Sequence, residues 1–102
     1  MKQTDCCSFD DFLNAMADEN RQRILTLLQR GEMSVGELQT HFDLSQPTIS
    51  HHLAVMRRAR LVFSRREGKY VYYRANPDCV AKQCQEILTR FRIGAISRNK
   101  GG

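Results

Sequence analysis

The polar residues between positions 45 and 51 include the side-chain types that read bases in a DNA groove. A glutamine can pair with adenine through two hydrogen bonds, and serine, threonine and histidine can bond base edges or phosphates. In this run we predict base contacts from Gln46, Thr48, Ser50 and His51. Ser45 can cap a helix that starts beside it and can contact the DNA backbone. The spacing therefore predicts the base-reading end of a recognition helix.

Positive charge is concentrated after this run. The 102 residues contain 16 Lys and Arg against 11 Asp and Glu, a formal net charge of +5. Residues 1–44 carry four basic and eight acidic groups, residues 45–75 carry seven and one, and residues 76–102 carry five and two. Such a patch suits a polyanion, although a solvated charged face on a small helical bundle is the alternative. Besides Ser45, the predicted contacts to the DNA backbone are Arg57, Arg58, Arg65, Arg66 and Lys69.

Four cysteines, Cys6, Cys7, Cys79 and Cys84, are candidate ligands for a soft ion such as zinc, cadmium or trivalent arsenic. We expect reduced thiols, because a small cytosolic protein should not hold a structural disulfide framework. Cys79 and Cys84 lie about 140° apart on a helix, which makes them poor ligands for one ion. Cys84 falls on an apolar stripe and is predicted to be buried and inert. Cys79 begins a helix, where its thiolate is favoured, and this also suits redox chemistry.

The spacing of apolar residues predicts four helices before position 60. The first covers about 8–17, the second follows Asp18 and ends near Gly31, and the third is capped by Ser34. The fourth is the recognition helix, at about 45–59, and it tolerates a proline in its first turn. Its predicted buried face, which turns the base-reading side chains outward, consists of Ile49, His52, Leu53 and Met56.

After position 60 the sequence becomes rich in β-branched and aromatic residues. Residues 61–65 and 70–74 are predicted strands, and Gly68 between them permits the positive φ of a hairpin turn. A hairpin alone is marginal in water and must pack on the helices. We therefore predict a single domain over 1–102 with a mostly helical α+β fold, a winged helix-turn-helix of five helices and one β-hairpin. Its remaining parts are a flexible arm at about 1–7, the wing at about 61–75, a C-terminal dimerisation helix at about 77–93 and a frayed tail at about 97–102.

Several function classes find no support in the sequence. No stretch approaches the length of an apolar membrane-spanning helix, and the first ten residues contain no secretory signal, so we expect a cytoplasmic protein with no membrane partner. No catalytic triad, paired catalytic carboxylates, zinc-protease motif or phosphate-binding loop is present. We therefore expect neither an enzyme nor a small-molecule substrate. A winged helix that binds another protein remains a third possibility.

Five segments form a combined pattern that is more specific than any one of them. They read ADENRQRILTLL at 17–28, SVGEL at 34–38, SQPTISHHL at 45–53, MRRARLV at 56–62 and REGKYVYY at 66–73. Over about residues 12–92 the chain thereby resembles the ArsR/SmtB family of bacterial winged helix-turn-helix repressors. One departure is Arg60, where the family usually has glycine. An arginine fits there if the turn into the strand does not need a positive φ, and it offers one more phosphate contact.

The resemblance implies a homodimer on double-stranded operator DNA, with first and last helices paired across the two-fold axis. It also implies repression that an inducer relieves. Two apolar faces support dimerisation, because so small a domain is not expected to bury both. A two-fold operator would have half-sites ~34 Å apart. The predicted interface residues are Phe9, Phe12, Leu13, Met16, Val80, Ile87, Leu88 and Phe91.

If those helices pair, the arm of one subunit can approach Cys79 or Cys84 of the other, and Cys6 and Cys7 can complete a three-thiolate site. Arsenite, cadmium or zinc would then act as inducer, without an obligatory cofactor. The family's Cys-x-Cys pair is absent from 35–41, and the last helix lacks the histidine of the zinc sensors. A redox sensor working through cysteine oxidation and a regulator without a metal site therefore remain open alternatives.

Overall fold

The computed structural model describes residues 6–91. It contains five helices and three strands, and the winged helix-turn-helix fold is confirmed. Within these residues no helix is both long and apolar enough to cross a membrane. The predicted tail at 97–102 and most of the predicted arm lie outside the described residues. The elements are α1 (Phe9–Ala15), α2 (Glu19–Arg30), β1 (Met33–Ser34), α3 (Val35–Gln39), α4 (Gln46–Arg58), β2 (Val62–Glu67), β3 (Tyr70–Ala75) and α5 (Pro77–Arg90).

Each helix begins at a polar residue whose side chain accepts a hydrogen bond from a backbone N–H of the first turn. In α3 the cap is reciprocal, because the Ser34 hydroxyl accepts from the Glu37 N–H and the Glu37 carboxylate accepts from the Ser34 N–H at 2.8 Å. The predicted starts are therefore confirmed to within a residue. The five capping residues are Ser8, Asp18, Ser34, Ser45 and Asn76.

The sheet has three strands, whereas the sequence predicted a two-stranded hairpin. The strand order is β1-β3-β2, and both pairings are antiparallel. β1 has only two residues, paired with Tyr73 and Tyr72 of β3, and it leads directly into the Ser34 cap. Two residues are too few to show an alternating pattern, so sequence reasoning missed this strand. The hairpin turn is as predicted, with Gly68 at φ 63°.

The recognition helix supplies the centre of the core. Ile49, Leu53 and Met56 are fully buried, and His52 is buried beside them, so the predicted inner face of α4 is confirmed. This face packs against side chains from the other helices and from the start of β2. Because the apolar side of α4 is buried within its own chain, its polar side faces outward. The other fully buried large apolar residues are Ile24, Leu38, Leu61 and Val62.

Two residues predicted for the dimer interface lie in the core of the protomer instead. Phe9 and Phe12 are each 8% exposed, and their rings stack with centroids 6.3 Å apart. They are buried because α1 lies against α5, where the Phe91 ring reaches Phe9. Three other members of the predicted interface are exposed, and Met16, Val80 and Ile87 are half-buried. The exposed members are Leu13 at 45%, Leu88 at 62% and Phe91 at 58%.

The turn after α4 contradicts the expectation for Arg60. Its φ is +65°, so this turn does need a left-handed residue. The Arg60 N–H donates to the Arg57 carbonyl at 3.0 Å, and the Leu61 N–H donates to the Met56 carbonyl at 3.0 Å. These two bonds form the helix-ending motif that places glycine at the left-handed position, because glycine has no Cβ to clash there. Arg60 therefore occupies a glycine-type position at a cost in backbone energy.

Candidate nucleic-acid interface and sulfur cluster

The exposed side of α4 carries the predicted base-reading residues. Gln46, Thr48, Ser50 and His51 are all exposed. The Ser45 hydroxyl accepts from the Thr48 N–H at 3.3 Å and lies 2.9 Å from the Thr48 hydroxyl, so the two side chains fix the first turn. α3 packs against α4 in the helix-turn-helix arrangement. The structure thus presents a polar helix face beside the wing, with no Asp or Glu in α4.

Three arginines extend this face at the other end of α4. Arg57, Arg58 and Arg60 are exposed, and none of them has a carboxylate partner within residues 6–91. They line an open groove of about 640 Å³ between α4 and β2. A groove lined by arginines without carboxylate partners can bind phosphate groups. Its other lining residues are Ala54, Val62, Phe63 and Ser64.

The wing divides its cations between two roles. Arg66 and Lys69 are exposed near the turn, without carboxylate partners among the described residues. The Arg65 guanidinium instead donates to both carboxylate oxygens of Glu32 at 2.7 Å and to Glu67 at 2.8 Å. These bonds to Glu32, and then to Glu67, raise the pKa of Arg65, while Arg65 lowers the pKa of Glu32. Arg65 thus ties the wing to the segment before β1, and its charge is already paired.

A second group of chemically active side chains lies where the N-terminal arm meets α5. The Sγ atoms of Cys6, Cys7 and Cys79 all lie within 4.8 Å of one another, and we call these three residues the sulfur cluster. Cys6 and Cys79 form a disulfide, with their Cα atoms 5.3 Å apart. The expectation that all cysteines are reduced is therefore wrong for this pair. The physical reason is that Cys6 and Cys7 lie against the first turn of α5, which sequence spacing does not reveal.

Gln83 is the functional candidate that sequence reasoning missed. Its side chain is 1% exposed, and its amide N–H group donates to the Cys7 carbonyl at 2.8 Å and to the Cys6 sulfur at 3.3 Å. Its Oε1 atom is buried without a hydrogen-bond partner in the part of the chain that the structure describes. Gln83 follows Cys79 by four positions and thus shares its helix face, which is the signal that could have found it.

The sulfur cluster is built within one chain. We expected the arm of one subunit to reach Cys79 or Cys84 of the other, whereas in the structure Cys6, Cys7 and Cys79 of the same chain meet. Cys84 is exposed, not buried, because Cys79 and Gln83 form the inner face of α5, where Val80 and Ile87 also pack against the core. Burial, and next the nearby Asp11 carboxylate, raise the pKa of the Cys7 thiol. The sulfur cluster among the described residues does not include Cys84.

The residues of the sulfur cluster fit a thiophilic ion once the disulfide is reduced. Three sulfur atoms at mutual distances up to 4.8 Å match the donor set that soft ions prefer. Gln83 supplies a hydrogen bond to the sulfur of Cys6, the kind of supporting contact that orients metal ligands. The buried Oε1 of Gln83, which has no hydrogen-bond partner among residues 6–91, also marks this as a place where a polar contact is missing.

Comparison with known proteins agrees with this geometry. Residues 18–64 match the family described as "Bacterial regulatory protein, arsR family". The transcriptional repressor SdpR of Bacillus subtilis (strain 168) is 37% identical over 85 residues, which are 83% of this chain and 94% of SdpR. The arsenical resistance operon repressor of Escherichia coli (strain K12) is 48% identical over 90 residues, 82% of this chain and 77% of that repressor. This chain belongs to the ArsR family.

A solved structure of the ArsR type supports the same assignment. The crystal structure of a possible transcriptional regulator for arsenical resistance has a TM-score of 0.72 and 38% identity, over 79% of this chain and 83% of that chain. ArsR-family relatives are transcription regulators and not enzymes. Because ArsR-family winged helices bind operator DNA, the exposed face of α4 and the wing form the candidate DNA interface.

Proposed function

We propose that this protein is a homodimeric repressor that binds operator DNA through α4 and the wing and is released by a thiophilic ion at the sulfur cluster. The observation that carries the DNA-binding part is the outward face of α4, which is polar, basic and free of carboxylates, next to a wing with exposed cations. A face of this kind repels other proteins' basic surfaces and attracts phosphate.

We assign the residues of this face to two groups, those that would contact bases and those that would contact the DNA backbone. Gln46, Thr48, Ser50 and His51 at the start of α4 would contact base edges in the major groove. Ser45 and the cations without carboxylate partners would hold the DNA backbone. Arg65 would position the wing through its ion pairs instead of binding phosphate itself. The proposed backbone contacts are Ser45, Arg57, Arg58, Arg60, Arg66 and Lys69.

The partner proposed for the apolar surface is a second copy of this chain. Leu13 on α1 and Leu88 and Phe91 on α5 and its cap are exposed, although a monomer gains nothing by exposing three large apolar side chains. Met16, Val80 and Ile87 lie half-buried beside them. A two-fold interface uses the same patch on both subunits, and it would present two α4 helices to one duplex.

Operator binding is tested with a duplex that the wild-type protein selects from a random-sequence pool. The triple variant His51→Ala, Arg58→Ala and Arg66→Ala should lose retention of this duplex in a gel. Each lost phosphate contact should also reduce the slope of log K against log salt by about 0.9. Arg30→Ala removes an exposed arginine outside the proposed surface and should leave affinity unchanged. Equal retention by the triple variant and the wild type would contradict the proposed interface.

The proposed inducer site consists of three sulfur atoms, so replacing any one of the three cysteines should weaken ion binding. One relative is named an arsenical resistance operon repressor, and arsenite and cadmium are the ions to test first. In reduced protein, Cys6→Ser with Cys7→Ser should abolish ion-induced release of the duplex. Cys84→Ser is the matched control, because Cys84 is exposed and lies outside the sulfur cluster. Unchanged release in the double variant would exclude this site.

A second candidate function, redox sensing, is favoured by the bond between Cys6 and Cys79. One thiol would take an oxygen atom from hydrogen peroxide to form a sulfenic acid and water. The other thiol would then displace a second water and form the disulfide, so that two thiols and one peroxide give one disulfide and two waters. A Cys7→Ser variant distinguishes ion sensing from redox sensing. It should still release the duplex on addition of peroxide but should no longer release it on addition of arsenite or cadmium.

A further inference from the structure

Arg21 lies on α2 and bonds to both α1 and α4, two helices that make few contacts with each other. Its Nε donates to the carbonyl of Ala15, the last residue of α1, at 2.7 Å. Its Nη2 lies 3.5 Å from the carbonyl of Asn14. Its Nη1 lies 3.1 Å from Nδ1 of His52 on α4. One half-buried guanidinium therefore contacts the end of α1 and the middle of the recognition helix at the same time.

The space around Arg21 is open. A groove of about 420 Å³ runs between the two helices, with Asp11, Asn14 and Ala15 from α1 on one side. The opposite side is formed by Val55, Arg58 and Ala59 at the end of α4, and Arg21 also lines the groove. A displacement of α1 would therefore reach α4 through the bonds of Arg21, in addition to the core that the two helices share.

His52 is placed to receive this contact. An arginine N–H is always a donor, so Nδ1 of His52 accepts and its Nε2 carries the proton. The ring is 7% exposed, and the pKa of His52 is lowered, first by burial and also by the neighbouring Arg21 and His51. His52 is therefore a neutral acceptor on the inner face of α4, directly beside a predicted base-reading residue.

The other end of α1 adjoins the sulfur cluster. Cys7 immediately precedes Ser8, the residue that caps α1, and the Cys7 carbonyl is held by Gln83 of α5. α1 has seven residues and is about 10 Å long, too short to absorb a displacement by bending. A change in the sulfur cluster that moves the arm would therefore move the carbonyl groups that bind Arg21.

We propose that Arg21 is a positioning residue that holds α4 in its DNA-binding orientation through His52 and couples that orientation to the cysteine-bearing arm through α1. This inference rests on the proposed function, because it names how the sulfur cluster would act on the recognition helix. Arg21 itself touches no base and no phosphate in this scheme. Arg23, two residues later on α2, instead stacks on Phe42 and bonds the His41 carbonyl, and so provides a matched control.

The test uses the full chain, reduced, and the duplex selected by the wild type. His52→Leu keeps the volume of the ring but removes the acceptor, whereas His52→Asn places an amide oxygen where Nδ1 lies. Arg21→Gln removes the guanidinium contacts to His52 and to the end of α1, and Arg23→Gln is the control. Operator affinity is measured by fluorescence anisotropy before and after addition of Cd²⁺ or of hydrogen peroxide. Thiolate-to-cadmium absorbance reports bound ion, and NMR of the imidazole nitrogens reports the His52 tautomer.

We expect His52→Leu and Arg21→Gln to weaken operator binding on the order of tenfold and to reduce the effect of Cd²⁺ or peroxide, with cadmium absorbance unchanged. His52→Asn and Arg23→Gln should behave as the wild type, and Arg21→Gln should lose the Nε2–H tautomer signature of His52. Equal affinity and equal response in His52→Leu and the wild type would overturn the inference. A wild type that selects no duplex, or ignores both reagents, would instead contradict the proposed function.

Discussion

The recognition helix α4 and the last helix α5 begin alike but end in different surroundings. Both have a polar cap followed by an early proline, and they have 13 and 14 residues. On α4, Ile49 and Leu53 are completely buried within the chain. On α5, Leu88 is 62% exposed, and Phe91 at its end is 58% exposed. An amphipathic helix whose apolar side is already covered can offer only its polar side, whereas α5 still has apolar surface to cover.

What α5 does bury is equally informative. Its inner face contributes Cys79 and Gln83, which are 1% exposed and hold Cys6 and Cys7. The corresponding face of α4 contributes large apolar side chains and one neutral histidine. In the proposed function the two helices therefore have different roles: α4 would read DNA, whereas α5 would receive a second chain on one face and holds Cys6 and Cys7 on another.

The largest effect should come from truncating the buried face of α4. Leu53→Ala removes a fully buried leucine, and we expect it to lower the free energy of unfolding by about 3 kcal/mol because it leaves a cavity. Leu88→Ala should change the free energy of unfolding by less than about 0.5 kcal/mol at a low protein concentration, where monomers prevail. Urea unfolding followed by circular dichroism measures both. Similar losses for the two variants would remove the proposed contrast between the helices.

The next effect concerns the surface that α5 leaves exposed. Leu88→Glu with Phe91→Glu places charges on the proposed interface and should give a monomer in sedimentation velocity. Operator affinity should then fall on the order of a hundredfold, because the two half-sites no longer bind as one unit. Leu13→Ala, a milder change on the same patch, should shift the dimerisation equilibrium less. A double-glutamate variant that still sediments as the wild type would show that another surface joins the subunits.

Some features of both helices depend on neighbouring residues and can be predicted from the sequence, whereas others depend on residues far apart in the chain. The caps, the buried face of α4 and the Gly68 turn follow from local rules, because each depends on residues three or four positions apart. The sulfur cluster depends on a contact between residues 73 positions apart, which no periodicity encodes. The pairing of Arg65 with Glu32, 33 positions away, was missed for the same reason. Burial of Phe9 and Phe12 could not be separated from exposure of Leu13, since the helical spacing places all three on one predicted apolar face.

A smaller effect is expected where α4 ends. Arg60→Gly relieves a left-handed backbone and should raise the free energy of unfolding by about 1 kcal/mol. Arg60→Ala keeps the Cβ and should not stabilise the protein, which separates backbone strain from loss of charge. Urea unfolding at neutral pH measures both variants. If alanine stabilised as much as glycine, repulsion among the arginines of the groove would be the cause instead.

The smallest and most specific expectation concerns pH, because α4 carries a titratable group on its inner face. Burial lowers the pKa of His52, so the folded protein binds this proton more weakly than the unfolded chain, whose histidine pKa is about 6.5. Folding is therefore unaffected by His52 above this value and loses stability as the pH falls below it. Asp18, which favours the charged ring, and Arg21 and His51, which oppose it, are the charged groups that face it.

Urea unfolding at several pH values between 7.5 and 5 should show this loss in the wild type and less of it in His52→Asn. His41→Asn is the matched control, because His41 is exposed and lies outside α4. On α5 the two buried polar residues are an amide and a disulfide-bonded cysteine, neither of which titrates. Acid should therefore loosen α4 before it loosens the arm on α5, and hydrogen exchange that detected the opposite order would contradict the assignment of the response to His52.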